Sequence, residues 1–192
     1  MKRQLNQTYA ASPARVRFVR FATLCLAGAL CACLAAGCSS DASSENPDAG
    51  KAAGTTTRTA PDAPLTLLDG TKTTIAGFEG KTVVLNFWAT WCPYCIEEMP
   101  DLEQLQADYP DIEVVLVNCG ESKETVNDFV EKKGYDVTWA LDPGYDAQTS
   151  YEVSGLPSTA IIDAEGNLVD FFEGAPRDPY ATYEAAVKKA LA

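Results

Sequence analysis

The chain has 192 residues, among them 27 aspartates and glutamates, 15 lysines and arginines, and no histidine. A formal net charge of −12 disfavours nucleic acid and anionic membrane surfaces as partners, because both carry negative charge themselves. The acidic residues suit basic or neutral partners, or serve solubility alone, and the lack of histidine removes one of the main zinc ligands.

The first 37 residues predict a lipoprotein signal peptide. Three arginines precede an uncharged stretch at 21–37, whose 17 residues fall short of the ~20 that span a bilayer. Small residues before Cys38 resemble a lipobox, so we expect cleavage after Gly37 and lipidation of Cys38. Cys33 is a second candidate for lipidation, and an uncleaved anchor is the remaining alternative. Lipidation of either cysteine, or an uncleaved anchor, would place the rest of the chain on the outer face of the cell membrane.

Residues 38–60 predict a flexible tether, since they include no aromatic and no large aliphatic residue with which to build a core. The remaining 132 residues, 61–192, have the size of one domain. Loss of the signal leaves 10 basic and 27 acidic residues, a net charge of −17. With Cys38 lipidated, the remaining thiols are Cys92, Cys95 and Cys119, too few for a multi-disulfide scaffold.

Strand and helix patterns alternate along this domain. An Asp-Gly pair joins two predicted strands into a hairpin at 65–75, and a nearly continuous apolar run at 82–88 predicts a strand buried on both faces. Periodicity, caps and turns predict a helix at 93–107, a strand at 112–118, helices at 122–133 and 142–151, a hairpin at 160–172 and a closing helix at 178–191. This order predicts a three-layer α/β sandwich.

The motif Trp91-Cys-Pro-Tyr-Cys95 stands where the buried strand gives way to the following helix. Free backbone N–H groups and the positive end of the helix dipole favour a thiolate there. Such settings lower a thiol pKa from roughly 8.5 to between about 3.5 and 7.5. Cys95 is close enough in the helix to close a disulfide with Cys92. The pattern predicts a two-electron redox site, in which Cys92 attacks a partner disulfide and Cys95 resolves the mixed disulfide.

Half of a zinc site is the alternative explanation of the Cys-x-x-Cys motif. Zinc normally takes four ligands, and the chain offers neither a histidine nor a second Cys-x-x-Cys. Redox use is therefore favoured, with no metal and no cofactor other than the redox-active disulfide itself.

Three further residues near the motif have structural or functional roles to be weighed. Trp88 is expected to pack in the core, whereas Trp91 shields the disulfide or contacts a partner peptide. Cys119 ends a predicted strand, where a buried apolar filler is the favoured role and a third redox thiol the alternative.

The segment Asn86–Cys95, followed by Glu98-Met-Pro100, resembles the active-site segment of TlpA/ResA-like thiol-disulfide oxidoreductases. That family is the extracytoplasmic branch of the thioredoxin superfamily. The hairpin at 65–75 resembles the N-terminal hairpin added in this branch, and Val153–Thr159 resembles its cis-proline loop. The resemblance covers roughly residues 61–192 and implies a thioredoxin-like fold with an added N-terminal β-hairpin.

The resemblance also implies a substrate groove beside the dithiol. In the family a cis X-Pro bond faces the two cysteines, and its exposed backbone pairs with an extended substrate strand. On this chain the cis bond would precede Pro157, and the groove would be lined by Trp91, Pro93, Tyr94, Leu156 and Pro157.

The proton acceptor for Cys95 is less readily assigned. Asn86 stands where thioredoxin has a buried aspartate in that role, and an asparagine cannot accept a proton at neutral pH. Glu98 matches the acidic residue of the family segment and is the candidate acceptor. Glu97 is the alternative, although a solvated helix surface is the favoured explanation of this residue.

The residues and the resemblance together predict a membrane-tethered thiol-disulfide oxidoreductase that acts outside the cytoplasm as a monomer. The resemblance implies that it reduces disulfides of exported proteins, apocytochrome c among the candidates, and that a membrane dithiol relay protein supplies the electrons. A peroxiredoxin-like peroxidase is one alternative, disfavoured because Thr90 precedes Cys92 by two positions rather than three. A metal carrier such as a copper chaperone is the other, weakened by the absence of histidine.

Overall fold

The computed structural model of the protein describes residues 58–192. The predicted signal peptide, the predicted lipidation site Cys38 and the predicted tether as far as residue 57 lie outside this range. Within it, every helix is too short or too polar to cross a membrane.

Eight strands and four α-helices form the described part of the chain. The strands are β1 (Arg58–Thr59), β2 (Pro64–Leu67), β3 (Lys72–Thr74), β4 (Thr82–Trp88), β5 (Ile112–Cys119), β6 (Thr138–Asp142), β7 (Ser158–Ile162) and β8 (Asn167–Glu173). The helices are α1 (Pro93–Asp108), α2 (Lys123–Lys133), α3 (Asp146–Ser150) and α4 (Pro179–Ala190), with one 3₁₀ turn at Ile75–Phe78.

All eight strands belong to one mixed sheet, in the order β1-β8-β7-β4-β5-β6-β2-β3. The strands β4, β5 and β6 run parallel, whereas β7 is antiparallel to β4 and β8 antiparallel to β7. Every residue of β4 is buried, as the apolar run predicts. The strands β2 and β3 pair as an antiparallel hairpin, which joins the sheet through β6.

Alternate residues of β4 belong to two separate hydrophobic clusters, one on each face of the sheet. Val84 and Trp88 belong to the cluster that also takes side chains from α1, α2 and α4. Leu85 and Phe87 belong to the other, which includes Ala147 of α3 and residues of the 3₁₀ turn. The predicted three-layer α/β sandwich is therefore confirmed, and the dithiol lies on the face covered by α1.

The structure corrects the sequence analysis at β6. This strand was not predicted, and the predicted helix at 142–151 contains only the five residues of α3. The apolar part of β6 is too short to show a period, so only its pairing with β5 reveals it. Asp142 ends β6 rather than beginning the helix, and its carboxylate accepts hydrogen bonds from the N–H groups of Asp146 and Gln148.

The predicted tether is also too long at its C-terminal end. Arg58 and Thr59 form β1, which pairs with Leu168 and Asn167 of β8, and the N–H of Ala60 donates to a carbonyl at Gly166. Arg58 and Thr59 are polar and exposed and join the sheet through backbone hydrogen bonds, so composition does not show that they are ordered. The ordered domain begins before residue 61.

Candidate active site

The two cysteines of the motif lie where β4 ends and α1 begins. Cys92 is the N-cap of α1, and its Sγ accepts a hydrogen bond of 3.2 Å from the Cys95 N–H. Pro93 follows at the start of the helix, where a missing N–H costs nothing. A disulfide joins Cys92 to Cys95, with their Cα atoms 5.3 Å apart. In the reduced protein the N-terminus of α1 therefore favours a thiolate on Cys92.

The cysteines are buried beneath exposed aromatic neighbours. Cys92 is 3% exposed and Cys95 is fully buried, whereas Trp91 and Tyr94 are 69% and 64% exposed. Both cysteines belong to the hydrophobic cluster under α1, so neither sulfur is openly exposed in the oxidised protein. The Cys92 N–H donates to the carbonyl of Ala89, which folds the turn back onto the buried end of β4. Cys92 is still the more exposed of the pair.

The loop before β7 carries the cis peptide bond that the resemblance implies. The bond between Leu156 and Pro157 is cis, and Pro157 itself is buried. Its carbonyl accepts a hydrogen bond of 2.8 Å from the N–H of Gly174, which follows β8. Leu156 is half-buried and packs against the cluster that contains both cysteines. Leu156 also packs against the cluster on the other face, so the loop lies between the two clusters.

Glu98 lies in the interior, three residues beyond Cys95 in α1 and on the same side of the helix. Its side chain is 1% exposed. Glu98 Oε1 accepts a hydrogen bond of 2.7 Å from Asn86 Nδ2, and Oε2 accepts one of 3.0 Å from the hydroxyl of Tyr183. Glu97, the alternative acceptor, is exposed.

Burial raises the pKa of Glu98 from 4.5 to about 7, although the hydrogen bonds from Asn86 and Tyr183 act in the opposite direction. Nearby Asp101 adds to the rise by charge repulsion. A group with a pKa near neutrality can both take and return a proton at physiological pH. Asn86 thus positions the Glu98 carboxyl group and is not itself the proton acceptor.

A second carboxylate, Glu121, holds the turn that leads into the motif, and the sequence analysis missed it. Its Oε2 accepts hydrogen bonds of 2.7 Å from the Thr90 N–H and from Asn118 Nδ2, and Oε1 accepts one of 2.5 Å from the Thr90 hydroxyl. Glu121 follows β5, which is adjacent to β4 in the sheet. An acidic residue just beyond a parallel strand was the available signal, because the carboxyl ends of adjacent parallel strands meet at one edge.

A groove of about 380 Å³ runs beside the first turns of α1. Its lining includes Tyr94, Glu97 and Asp101 from the helix and Arg177 from the loop before α4. Burial raises the pKa of Asp101, and the charge of Asp178 adds to this effect. The groove places one cation among several carboxylates next to the dithiol.

The remaining candidates occupy the core. Trp88 is fully buried and packs against Phe129 and Trp139, with ring centroids 4.9 and 5.4 Å away. Cys119 is 5% exposed, and burial, with the charge of Asp142, raises its thiol pKa to about 12. Such a thiol is protonated at neutral pH and has little nucleophilic character.

Comparison with known proteins agrees with this geometry. The sequence profile of the Redoxin family matches residues 52–189. The thiol-disulfide oxidoreductase ResA of Halalkalibacterium halodurans is 36% identical over 109 residues, which cover 56% of this chain and 62% of that protein. ResA of Geobacillus kaustophilus is 37% identical over 118 residues, covering 60% and 68%. The chain thus spans about two thirds of the length of these relatives.

The fold comparison leads to the same group. A crystal structure of the pneumococcal exposed lipoprotein thioredoxin from Streptococcus pneumoniae has a TM-score of 0.59 and 26% sequence identity, covering 67% of this chain and 99% of that one. The predicted thioredoxin-like fold is confirmed. With its Cys92–Cys95 disulfide and its matched sequence profile, the chain belongs to the Redoxin family, as a ResA-like thiol-disulfide oxidoreductase.

Proposed function

We propose that the protein reduces disulfides of exported proteins with the Cys92–Cys95 pair, held outside the cytoplasm by a lipid anchor. One observation carries the proposal: a disulfide closes at the N-terminus of α1, and Leu156 of the cis-proline loop packs against the cluster that contains both cysteines. The disulfide is the redox centre, and no additional cofactor or metal takes part. The enzyme acts as a monomer.

Reduction of a partner proceeds in two exchanges. The Cys92 thiolate attacks one sulfur of the partner disulfide, so a mixed disulfide forms and the other partner sulfur leaves as a thiolate. Cys95 then loses its proton to Glu98 and attacks Cys92 Sγ, which breaks the mixed disulfide and releases the second partner thiolate. Two electrons have moved to the partner, and Cys92–Cys95 is left oxidised. A membrane dithiol relay protein restores the reduced pair by the same exchanges.

The substrate segment lies across the cis-proline loop in this proposal. The groove is formed by Trp91, Pro93, Tyr94, Leu156 and Pro157, of which the two aromatic residues are the most exposed. Exposed aromatic side chains supply contact area at low entropic cost, which suits an extended peptide. Apocytochrome c, with its haem-attachment cysteines, is one candidate for this segment.

The reduction potential of the Cys92–Cys95 pair tests the direction of transfer. Reductases of this chemistry have potentials near about −270 mV, and strong oxidants near about −120 mV. We expect a value below about −200 mV in glutathione or dithiothreitol redox buffers. Each 30 mV is worth about 1.4 kcal/mol for a two-electron couple, so a value above about −200 mV would contradict a reductase.

Intact-mass measurement tests the anchor. Protein purified from its native membrane is expected to begin at Cys38 and to carry the mass of two or three acyl chains, since one chain alone anchors weakly. The exposed lipoprotein named above, which covers this domain, supports the expectation. The matched control is Cys38→Ser, expected in the soluble fraction. A mature chain that starts elsewhere, or that retains Met1, would exclude this anchor.

A further inference from the structure

The hydroxyl of Tyr183 reaches the active site from a distant part of the chain. Tyr183 belongs to α4, follows Glu98 by 85 residues and is fully buried. Its ring packs edge-on against Phe172, with centroids 5.5 Å apart, which fixes the direction of the hydroxyl. That direction leads to Glu98 Oε2, at 3.0 Å.

The bond belongs to a closed circuit of four buried side chains. The Thr159 hydroxyl donates to the oxygen of Tyr183 at 3.2 Å, and Tyr183 donates to Glu98. Asn86 Nδ2 donates to Glu98 at 2.7 Å and to Thr159 at 2.9 Å. Every hydrogen of the circuit therefore points, directly or through one hydroxyl, towards the carboxyl group of Glu98. An ionised carboxylate satisfies this arrangement.

The circuit can also reverse. When Glu98 binds a proton, its O–H can donate to Tyr183, and Tyr183 can turn its own hydrogen towards Thr159, because a hydroxyl both donates and accepts. Thr159 then needs an acceptor. Asn86 Oδ1 is buried and has no hydrogen-bond partner among the described residues, so rotation of the amide can bring it to Thr159, with loss of the two bonds that Nδ2 donates.

We propose that Tyr183 is a positioning residue which, with Thr159, holds Glu98 ionised and oriented to accept the proton of Cys95. The inference rests on the proposed role of Glu98 and deepens it. In this step the S–H bond of Cys95 breaks and an O–H bond forms on Glu98, with no change in electron count. The two hydroxyls can reverse their hydrogen bonds, so the proton that Glu98 gains has an acceptor in Tyr183.

The other charged groups around Glu98 oppose ionisation or lie outside. On α1, Asp101 repels a charge on Glu98, and Asp178 at the start of α4 acts on Asp101. Glu97 is exposed on the same helix, and Arg177 lines the groove in the loop before α4. From β4 and β7 only the neutral Asn86 and Thr159 reach the carboxyl circuit. Tyr183 and Asn86 are therefore the groups that favour the charged form.

The test is a pH titration of the Glu98 carboxyl carbon by NMR, in the oxidised full chain, where Cys92 and Cys95 do not titrate. Tyr183→Phe keeps the ring and removes the hydroxyl, so we expect the Glu98 midpoint to rise by about one pH unit, a tenfold change in proton affinity. Tyr180→Phe is the matched control, because that hydroxyl lies on the same helix and donates to Asp108 at 2.7 Å. The control should leave the midpoint unchanged.

A second pair of variants tests the proposal independently, in case Tyr183→Phe does not fold. Thr159→Val is expected to raise the Glu98 midpoint by a smaller amount, and Thr159→Ser to preserve it, because serine keeps the hydroxyl. A folded Tyr183→Phe variant with the wild-type midpoint, or equal midpoints for the two Thr159 variants, overturns the proposal.

The pH dependence of mixed-disulfide resolution distinguishes this proposal from the role of Glu98 itself. In Tyr183→Phe, the Glu98 midpoint and the pH dependence of the resolution rate can both shift to higher pH. In that case the role of Tyr183 and the role of Glu98 as proton acceptor are both supported. If the carboxyl midpoint rises while the rate profile stays in place, Tyr183 sets the ionisation of Glu98 but Glu98 is not the proton acceptor.

Discussion

A Cys95→Ser variant is expected to accumulate covalent complexes with its partners, whereas Cys92→Ser accumulates almost none. Cys92 is the N-cap of α1 and the more exposed sulfur, so attack on a partner survives without Cys95. Resolution does not, because serine cannot displace the mixed disulfide. Cys92→Ser should also reduce insulin-type disulfide reduction to the buffer background. Non-reducing gels and turbidity measurements check the two outcomes.

Cys119→Ser is the matched control for both variants. Cys119 is buried on the opposite face of the sheet, and its raised pKa keeps it protonated, so its loss should leave trapping and activity at wild-type levels. If Cys95 reacts faster than Cys92 with iodoacetamide at neutral pH, the two roles are reversed. Residual activity of Cys92→Ser that disappears on adding Cys119→Ser would show a third redox thiol.

Replacing Glu98 with glutamine is expected to change how stability depends on pH. The folded-state pKa of about 7 lies above the ordinary value of 4.5, so between them the folded protein binds more protons than the unfolded chain. Wild-type stability therefore falls as pH rises through this window. The difference, about 2.5 pH units, corresponds to about 3 kcal/mol, which the glutamine variant does not lose. Urea unfolding at pH 4.5, 6 and 8 measures it.

Glu97→Gln is the control, because this neighbour on α1 is exposed. It should follow the wild-type stability curve. The same Glu98→Gln protein should resolve mixed disulfides about a hundredfold more slowly, since positioned general bases contribute that much or more. A Glu98→Gln variant whose stability falls in parallel with that of the wild type between pH 4.5 and 8 would show that the carboxyl group is not destabilised by burial.

The sequence predicts most of the elements near the site because their signals are local. The apolar run of β4, the Cys92 cap and Pro93 lie within a few residues of one another, and together they define the strand, the helix start and the redox pair. The Ser122 cap of α2 is likewise a local feature, and its side chain accepts a hydrogen bond from the Thr125 N–H. Such features follow from spacing and residue type alone.

The rest of the site depends on contacts between distant residues. Glu98 receives hydrogen bonds from Asn86 and Tyr183, which come from β4 and α4, and no periodicity links these three positions. Glu121 reaches Thr90 across 31 residues. The environment that raises the pKa of Glu98 exists only once the helices pack on the sheet. Sequence analysis could name the carboxyl group but not its partners.

The register of the sheet shows at which end of the strands the described chain begins, relative to the dithiol. The first strand, β1, pairs with Leu168, which lies opposite Ile162 and, through it, Val83. At the other end of the same strands, Glu173 lies opposite Ser158, and Ser158 opposite Phe87, just before the dithiol turn.

The described chain thus begins, at Arg58, beside the end of these strands that is remote from the cysteines. Five residues of β7 separate the two ends, about 15 Å of extended strand. A bulky partner can therefore approach the Cys92–Cys95 pair without meeting β1, where the described chain begins.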